Sequence, residues 1–345
     1  MDFSKILTKW YLQNKRDLPW RNTVNPYYIW LSEIILQQTR VKQGLAYYEK
    51  FIVAFPTVFD LAKADENIIL NLWQGLGYYS RARNLHFSAK YIVNELDGKF
   101  PTTYKDILKL KGVGDYTASA IASICYNEPH AVVDGNVYRV LARYYGIDIP
   151  INSTEGIKLF KKLAQELINI KDPATFNQAI MEFGAMQCKP KNPDCSICPF
   201  QNSCKAKEEK MVEILPIKDK KIKVTKRFFN YLVLISPTDR TLLNQRKQKG
   251  IWRNLYQFPL IETSKEIDIS ELIKMNELHE ITNESNSDIK LFNKKPIIHK
   301  LSHQHLSVNF WVINLDKEME NSISISDFDK YPVPILIHNF AEAYF

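Results

Sequence analysis

Leu110-Lys111-Gly112-Val113-Gly114-Asp115 sits between two helical runs, and its reading decides what surrounds it. Two glycines permit positive φ in a tight turn and let backbone come close to a ligand. The helix that follows starts with unpaired N–H groups facing outward, an arrangement suited to phosphate. The same pattern also serves an ordinary helix–helix turn, and spacing alone leaves both readings open. Upstream, Tyr27, Trp30, Leu31, Ile34 and Ile35 recur at helical spacing, as do Ala118, Ile121, Ala122 and Cys125 downstream. Breakers at Pro56, Gly75-Leu76-Gly77, Asp97-Gly98 and Pro150 divide residues 1–186 into helix after helix.

Beyond Cys204 the pattern changes. Residues 206–227 are rich in Lys and Glu and read as an exposed connector. Phe228 to Ile235 and Leu306 to Ile313 are β-prone, and the polar stretch Asn283 to Asp288 reads as a loop. The expected domains are 1–205, a connector at 206–227, and 228–345. With 45% hydrophobic and 24% charged residues, the chain has globular rather than disordered composition. Lys and Arg exceed Asp and Glu by 46 to 38, and the resulting +8 suits a polyanionic partner without proving one. No apolar run reaches ~18 residues, so no membrane span is expected. Met1 to Trp10 lacks the features of a signal peptide, which points to a reducing, cytoplasmic setting.

Cysteines there are not expected to pair as disulfides. Cys125 lies in an apolar run and reads as a core thiol. Cys188, Cys195, Cys198 and Cys204, spaced C-x6-C-x2-C-x5-C within residues 188–204, converge on one metal centre at little loop-closure cost. Zinc and a [4Fe–4S] cluster both accept four thiolates, and spacing does not choose between them.

Two carboxylates stand out. Glu33, in Trp30-Leu31-Ser32-Glu33-Ile34-Ile35-Leu36-Gln37-Gln38-Thr39, is an acid on a strongly apolar helix. Burial there would raise its pKa; the plainer reading points it to water. Asp134, in Val132-Val133-Asp134-Gly135-Asn136-Val137-Tyr138-Arg139-Val140, suits a helix N-cap, whose amides would keep it ionised.

The cysteine run resembles that of the endonuclease III and MutY-type DNA glycosylases. The hairpin resembles their L-P-G-V-G-x-x-T-A, with Lys111 in place of proline, and S-E-x-x-L-Q-Q-T closely matches the MutY-type motif. The resemblance implies a mainly α catalytic region, a helix-hairpin-helix glycosylase fold with an iron–sulfur domain, followed by an α+β Nudix-like C-terminal domain. It implies a [4Fe–4S] cluster on the four cysteines. The implied reaction hydrolyses adenine from A:8-oxoguanine or A:G mispairs in double-stranded DNA, after the base is flipped from the helix. Glu33 inherits the role of general acid and Asp134 that of stabilising the sugar cation, with Asn136 holding the sugar or the water. Tyr116 stands where the bifunctional relatives carry a Schiff-base lysine, which implies a monofunctional enzyme.

The same resemblance assigns DNA contacts. Gly112 and Gly114 hold the backbone, and Gln38 and Thr39 meet the duplex, with Gln38 probing the opposite strand. Leu76 and Tyr78, in Gly75-Leu76-Gly77-Tyr78-Tyr79-Ser80-Arg81-Ala82-Arg83, supply the intercalating wedge, and Arg81 and Arg83 meet phosphates. Arg21, in Leu18-Pro19-Trp20-Arg21, lies by the adenine pocket and Gln178 reads adenine's edge. Gly250 to Pro259 resembles the family's G-x-W-x-x-L-x-x-F-P, and Ser302 and His303, after Leu301, match the lesion-reading F-S-H loop. The Nudix hydrolase box is missing, so pyrophosphate hydrolysis is not expected. His299, His303 and His305 form no recognised ligand motif. A monomer with no membrane partner is expected. A thymine- or uracil-directed mismatch glycosylase and a non-enzymatic cluster-bearing DNA binder are the rival readings.

Overall fold

The computed structural model describes residues 3–219, 224–282 and 287–345. They divide into two compact units, one drawn from Met1–Lys63 and Arg83–Lys220, the other from Ala64–Ala82 and Lys221–Phe345. The segment from Ala64 to Ala82, read from sequence as part of the helical domain, groups with the C-terminal unit.

The first unit is helical. Its centre is the helix Pro26–Leu36, started by proline and by the Asn25 side chain, which accepts from the Tyr27 N–H. This helix is buried on nearly every side, Ser32 and Glu33 included, because Asp115–Tyr126 packs on one flank and Val41–Ala54 on another. Pro173–Met186 runs against Phe3–Asn14, Gly135–Tyr145 and Asp115–Tyr126, and so carries the core. The crossing with Gly135–Tyr145 is tight: a Cβ on Gly184 would come within 2.6 Å of Asn136 Cβ and 2.9 Å of its carbonyl oxygen. Only glycine fits there, and the contact fixes the start of Gly135–Tyr145.

The hairpin forms as its sequence requires. Gly112 adopts φ +84°, and a Cβ there would strike the Asn84 side chain at 2.8 Å. Gly114 N-caps Asp115–Tyr126. Ser88 Oγ donates to the Lys111 carbonyl at 3.1 Å, and the Lys111 ammonium sits 4.2 Å from the centre of the Phe87 ring.

The expected exposed connector is largely not one. Residues 206–219 fold onto the helical unit: Leu215 is buried, its carbonyl accepts from Arg143 Nε at 3.0 Å, and the Ile151 N–H donates to the Ile217 carbonyl. The apolar side chains of Met211, Val212 and Leu215 outweigh the lysines around them. Residues 220–223 of that connector, and 283–286 of the expected polar loop, lie outside the described residues. Asp288 is not in a loop but in the strand Ser287–Leu291, where pairing with Gln304–Leu315 overrides its weak strand preference.

The second unit contains a five-stranded mixed sheet. Thr225–Ile235 pairs in parallel with Gln304–Leu315 and antiparallel with Leu260–Thr263. Ser287–Leu291 and Ile297–Lys300 pair antiparallel with successive halves of Gln304–Leu315. Alternate residues face opposite cores, as a pleated strand requires. Leu232, Leu234, Trp311 and Ile313 pack with Leu272 and Leu278, while Tyr231 and Phe310 stack toward Phe340 of the helix Ile335–Tyr344. Trp311 Nε1 donates to Asn230 Oδ1 within the sheet at 3.1 Å.

Candidate active site

A cavity of about 190 Å³ opens in the helical unit, and both singled-out carboxylates line it. Tyr116, Asn136, Arg21, Thr39 and Gln178 line it as well. Glu33 comes from the buried central helix, and Asp134 from the turn before Gly135–Tyr145. The extended segment leading to Asp134 is held by Asn177, whose Oδ1 accepts from the Val132 N–H and whose Nδ2 donates to Ser123 Oγ and the His130 carbonyl.

The two acids differ in their surroundings. Glu33 is 8% exposed, and burial pushes its carboxyl up to about 7; a hydrogen bond from Tyr116 opposes the rise and the charge of Asp134 adds to it. Asp134 is also raised by burial. It is opposed by more donors: the Val137 N–H at 2.8 Å, the Asn136 N–H at 2.9 Å and Asn136 Nδ2 at 2.7 Å. The expected cap is therefore present, although its amides do not cancel the cost of burial. With three hydrogen bonds to its oxygens, Asp134 is the better anion, and Glu33 the group that keeps a proton near neutrality. Burial drives the Tyr116 hydroxyl well above the ordinary tyrosine range, so it stays a donor.

The wall opposite is built from an ion pair that sequence reading did not find. Glu182 is buried. Arg16 reaches it through Nε at 2.8 Å and Nη2 at 2.6 Å, and Arg21 through Nη1 at 3.0 Å and Nη2 at 2.7 Å. Burial alone would raise Glu182, but the hydrogen bonds from Arg16 and Arg21 outweigh it and bring the carboxyl down to about 2. Its stabilisation is present above the ordinary glutamate range and is lost as pH falls toward 2. Glu182→Gln should cost about 3 kcal/mol, because two guanidinium groups lose their charged partner inside the protein. Urea denaturation at pH 7 reads this directly; an unchanged midpoint would show the pair to be screened by solvent. Tyr11 donates from its hydroxyl to Gln178 Oε1 at 2.5 Å, which orients the Gln178 amide in the same wall.

The four spaced cysteines surround a second cavity of about 30 Å³, walled by Val140, Phe183 and Phe200. The donor set suits a metal centre: all four cysteines line this one cavity, and Arg143 Nη1 donates to Cys188 Sγ at 3.4 Å. Arg139, in the same Val132 to Val140 stretch as Asp134 and Asn136, was not singled out from sequence. Its Nε donates to the Cys188 carbonyl at 2.7 Å and its Nη2 to Asn136 Oδ1 at 2.8 Å and the Gly184 carbonyl at 2.6 Å.

The remaining sequence assignments fall elsewhere. Gln38 adopts φ +57° just past the end of Pro26–Leu36. In the second unit Leu76 is buried, and Tyr78 is half-exposed at φ +47° with its hydroxyl bonded to Ser302 Oγ. Ser302 and His303 are exposed at the turn between Ile297–Lys300 and Gln304–Leu315. Arg81 is corrected: it does not face outward to phosphate. It is 7% exposed, with its guanidinium 4.9 Å from the Trp73 ring centre and Nη2 donating to the Leu76 and Gly77 carbonyls. The 75–77 loop turns carbonyls inward, and the arginine satisfies them.

Two family models match the chain, the first running through residues 64–82, which group with the C-terminal unit. Residues 31–166 match the HhH-GPD superfamily base excision DNA repair protein model, and residues 230–343 match the NUDIX domain model. The chain is 38% identical over 315 residues to an adenine DNA glycosylase of Buchnera aphidicola subsp. Baizongia pistaciae, covering 90% of this chain and 86% of that one. It is 44% identical to an adenine DNA glycosylase of Homo sapiens over 215 residues, 60% of this chain and 39% of that one. Among solved structures, a thermostable thymine-DNA glycosylase superposes with a TM-score of 0.56 at 31% identity, covering 60% of this chain and 95% of that one. A trapped endonuclease III–DNA covalent intermediate matches in fold, with a TM-score of 0.53 at 20% identity, over 60% of this chain and 95% of that one. The extent of the likeness to the bacterial relative, across both domains, places the chain in the adenine DNA glycosylase family of the HhH-GPD superfamily.

Proposed function

We propose that the protein hydrolyses adenine from duplex DNA where it is mispaired with 8-oxoguanine or guanine, leaving an abasic site and an uncut strand. The observation that carries this reading is the convergence of Glu33 and Asp134 on one cavity, both raised by burial, with three hydrogen bonds opposing the rise at Asp134.

Adenine leaves poorly as an anion, so Glu33 donates a proton to the base as the glycosidic bond breaks. The sugar left behind carries cationic character, and Asp134 stabilises it from across the cavity. Water then adds to the sugar carbon, giving up its proton to the Glu33 carboxylate. Tyr116 lines the cavity beside Glu33 with its hydroxyl donating to Met181 Sδ at 3.1 Å, and Asn136 holds Asp134. No lysine lines the cavity among the described residues, which supports hydrolysis rather than Schiff-base formation. Arg21 and Gln178 meet the base edge. Cys188, Cys195, Cys198 and Cys204 would hold a [4Fe–4S] cluster, which would tie their loop to the helical unit.

The duplex is gripped at Gly112 and Gly114, where N–H groups and Lys111 face phosphate, and near Gln38 and Thr39. Leu76 and Tyr78 fill the gap left by the flipped nucleotide, while Ser302 and His303 read the lesion base. The enzyme acts as a monomer on DNA in the cytoplasm. Among the described residues, no helix is long and apolar enough to cross a membrane.

The test is incubation with a duplex bearing one A:8-oxoguanine pair. Alkali should nick only the adenine strand. An intact strand after alkali, or cleavage without it, would overturn the proposal; release of thymine from a T:G pair instead would favour the mismatch-thymine reading. The single-turnover rate should also depend on pH with a definite sign. Glu33 must be protonated, so the rate falls above pH about 7, approaching tenfold per unit. Asp134 must be ionised, and its raised pKa brings in the acid limb early. A rate constant between pH 6 and 9 would remove Glu33 from the role.

A further inference from the structure

Asp329, His338 and Glu342 place one ligand atom each within 4.8 Å of one another in the C-terminal unit. His338 and Glu342 are four positions apart on the helix Ile335–Tyr344 and therefore share a face. Asp329 arrives from the 3-10 turn Ile325–Lys330. We propose that these three side chains form a binding site for a divalent transition-metal cation of the zinc class.

Three observations carry it. First, the donors match the ion: one imidazole with two carboxylates suits zinc and its neighbours rather than magnesium or calcium, which prefer all-oxygen shells. Second, the backbone behind the donors is fixed. Phe328, next to Asp329, stacks on Phe258 at 5.8 Å, and Phe258 meets the edge of Phe340, between His338 and Glu342, at 5.6 Å. Asn71 Nδ2 donates to the Lys330 carbonyl at 3.2 Å and the Asp329 carbonyl at 3.4 Å. Third, the donors are uncommitted. The neighbouring Lys330 ammonium turns to Asp327 at 2.7 Å, and among the described residues none of the three side chains forms an ion pair or side-chain hydrogen bond.

Donors in a tetrahedral shell with bonds of about 2.1 Å stand roughly 3.4 Å apart. Asp329 and Glu342 are exposed and rotate freely enough to close the gap, while His338 is half-buried. Water completes the shell. The bound ion would clamp the 3-10 turn to the last helix and stabilise the C-terminal unit by mass action.

The experiment is a calorimetric titration of the purified full chain, with its cysteine site loaded, using zinc chloride as the probe. One site is expected in the wild type, weakened at least tenfold in His338→Ala and in Asp329→Asn, and retained in His303→Ala. Zinc should raise the thermal midpoint of the wild type and not that of His338→Ala. Equal titrations of wild type and His338→Ala would overturn the site, as would loss of binding in His303→Ala. Both exchanged residues of the site lie outside the buried core, so the fold should survive their replacement.

Discussion

Glu33→Gln is expected to slow adenine release by about 10³-fold while duplex binding persists. Glutamine keeps the size of the side chain and can still meet Tyr116, but it has no proton to give the departing base. The substitution should not unfold the protein. Glu33 lies in a helix buried on nearly all sides, where burial raises its carboxyl to about 7 from an ordinary 4.5. Ionising it therefore costs stability: the favourable contribution is whole below pH 4.5 and is lost as pH rises through about 7. At pH 8 the glutamine variant should be as stable as the parent or more so, by on the order of 2 kcal/mol. Single-turnover release from an A:8-oxoguanine duplex, a gel-shift titration and a thermal melt at pH 8 check the three parts. Release within tenfold of the parent would leave Glu33 a structural residue.

Asp134→Asn is expected to cost about as much, roughly 10²- to 10³-fold, for a different reason. Asparagine caps helices nearly as well as aspartate, so Gly135–Tyr145 should keep its start and its contact with Gly184. What disappears is the negative charge facing the sugar. The two variants are separable by pH: Asp134→Asn removes the acid limb of the rate profile and keeps the fall above about 7, whereas Glu33→Gln flattens the alkaline limb. A variant at Asp134 with parental rate would mean that capping is the residue's whole task.

What the sequence made legible follows from the range of the forces involved. The hairpin was readable because Gly112 answers a local demand, a positive φ beside a side chain that leaves no room for a Cβ. The cysteine cluster was readable because its spacing is short. Glu33 was half readable: the apolar neighbours were plain, but whether the acid faced core or water depended on Asp115–Tyr126, some eighty residues away. Glu182 could not be found at all. Its meaning lies in Arg16 and Arg21, which approach from the far end of the domain, and no local pattern marks a glutamate destined for such a pair. Arg81 misled for the same reason, since a positive charge in a glycine-rich loop looks ready for phosphate until the loop's own carbonyls claim it. Residues 206–219 misled through composition: charged residues make up half of the stretch, while a few apolar side chains decide where the chain lies.

Arg139 has a consequence for how the protein would fail. One guanidinium grips the carbonyl of Cys188 and, through its other end, the amide that steadies Asp134. Were Cys188 to hold a metal, a shift of its backbone on loss of that metal would reach the Asp134 carboxylate through Arg139 and Asn136.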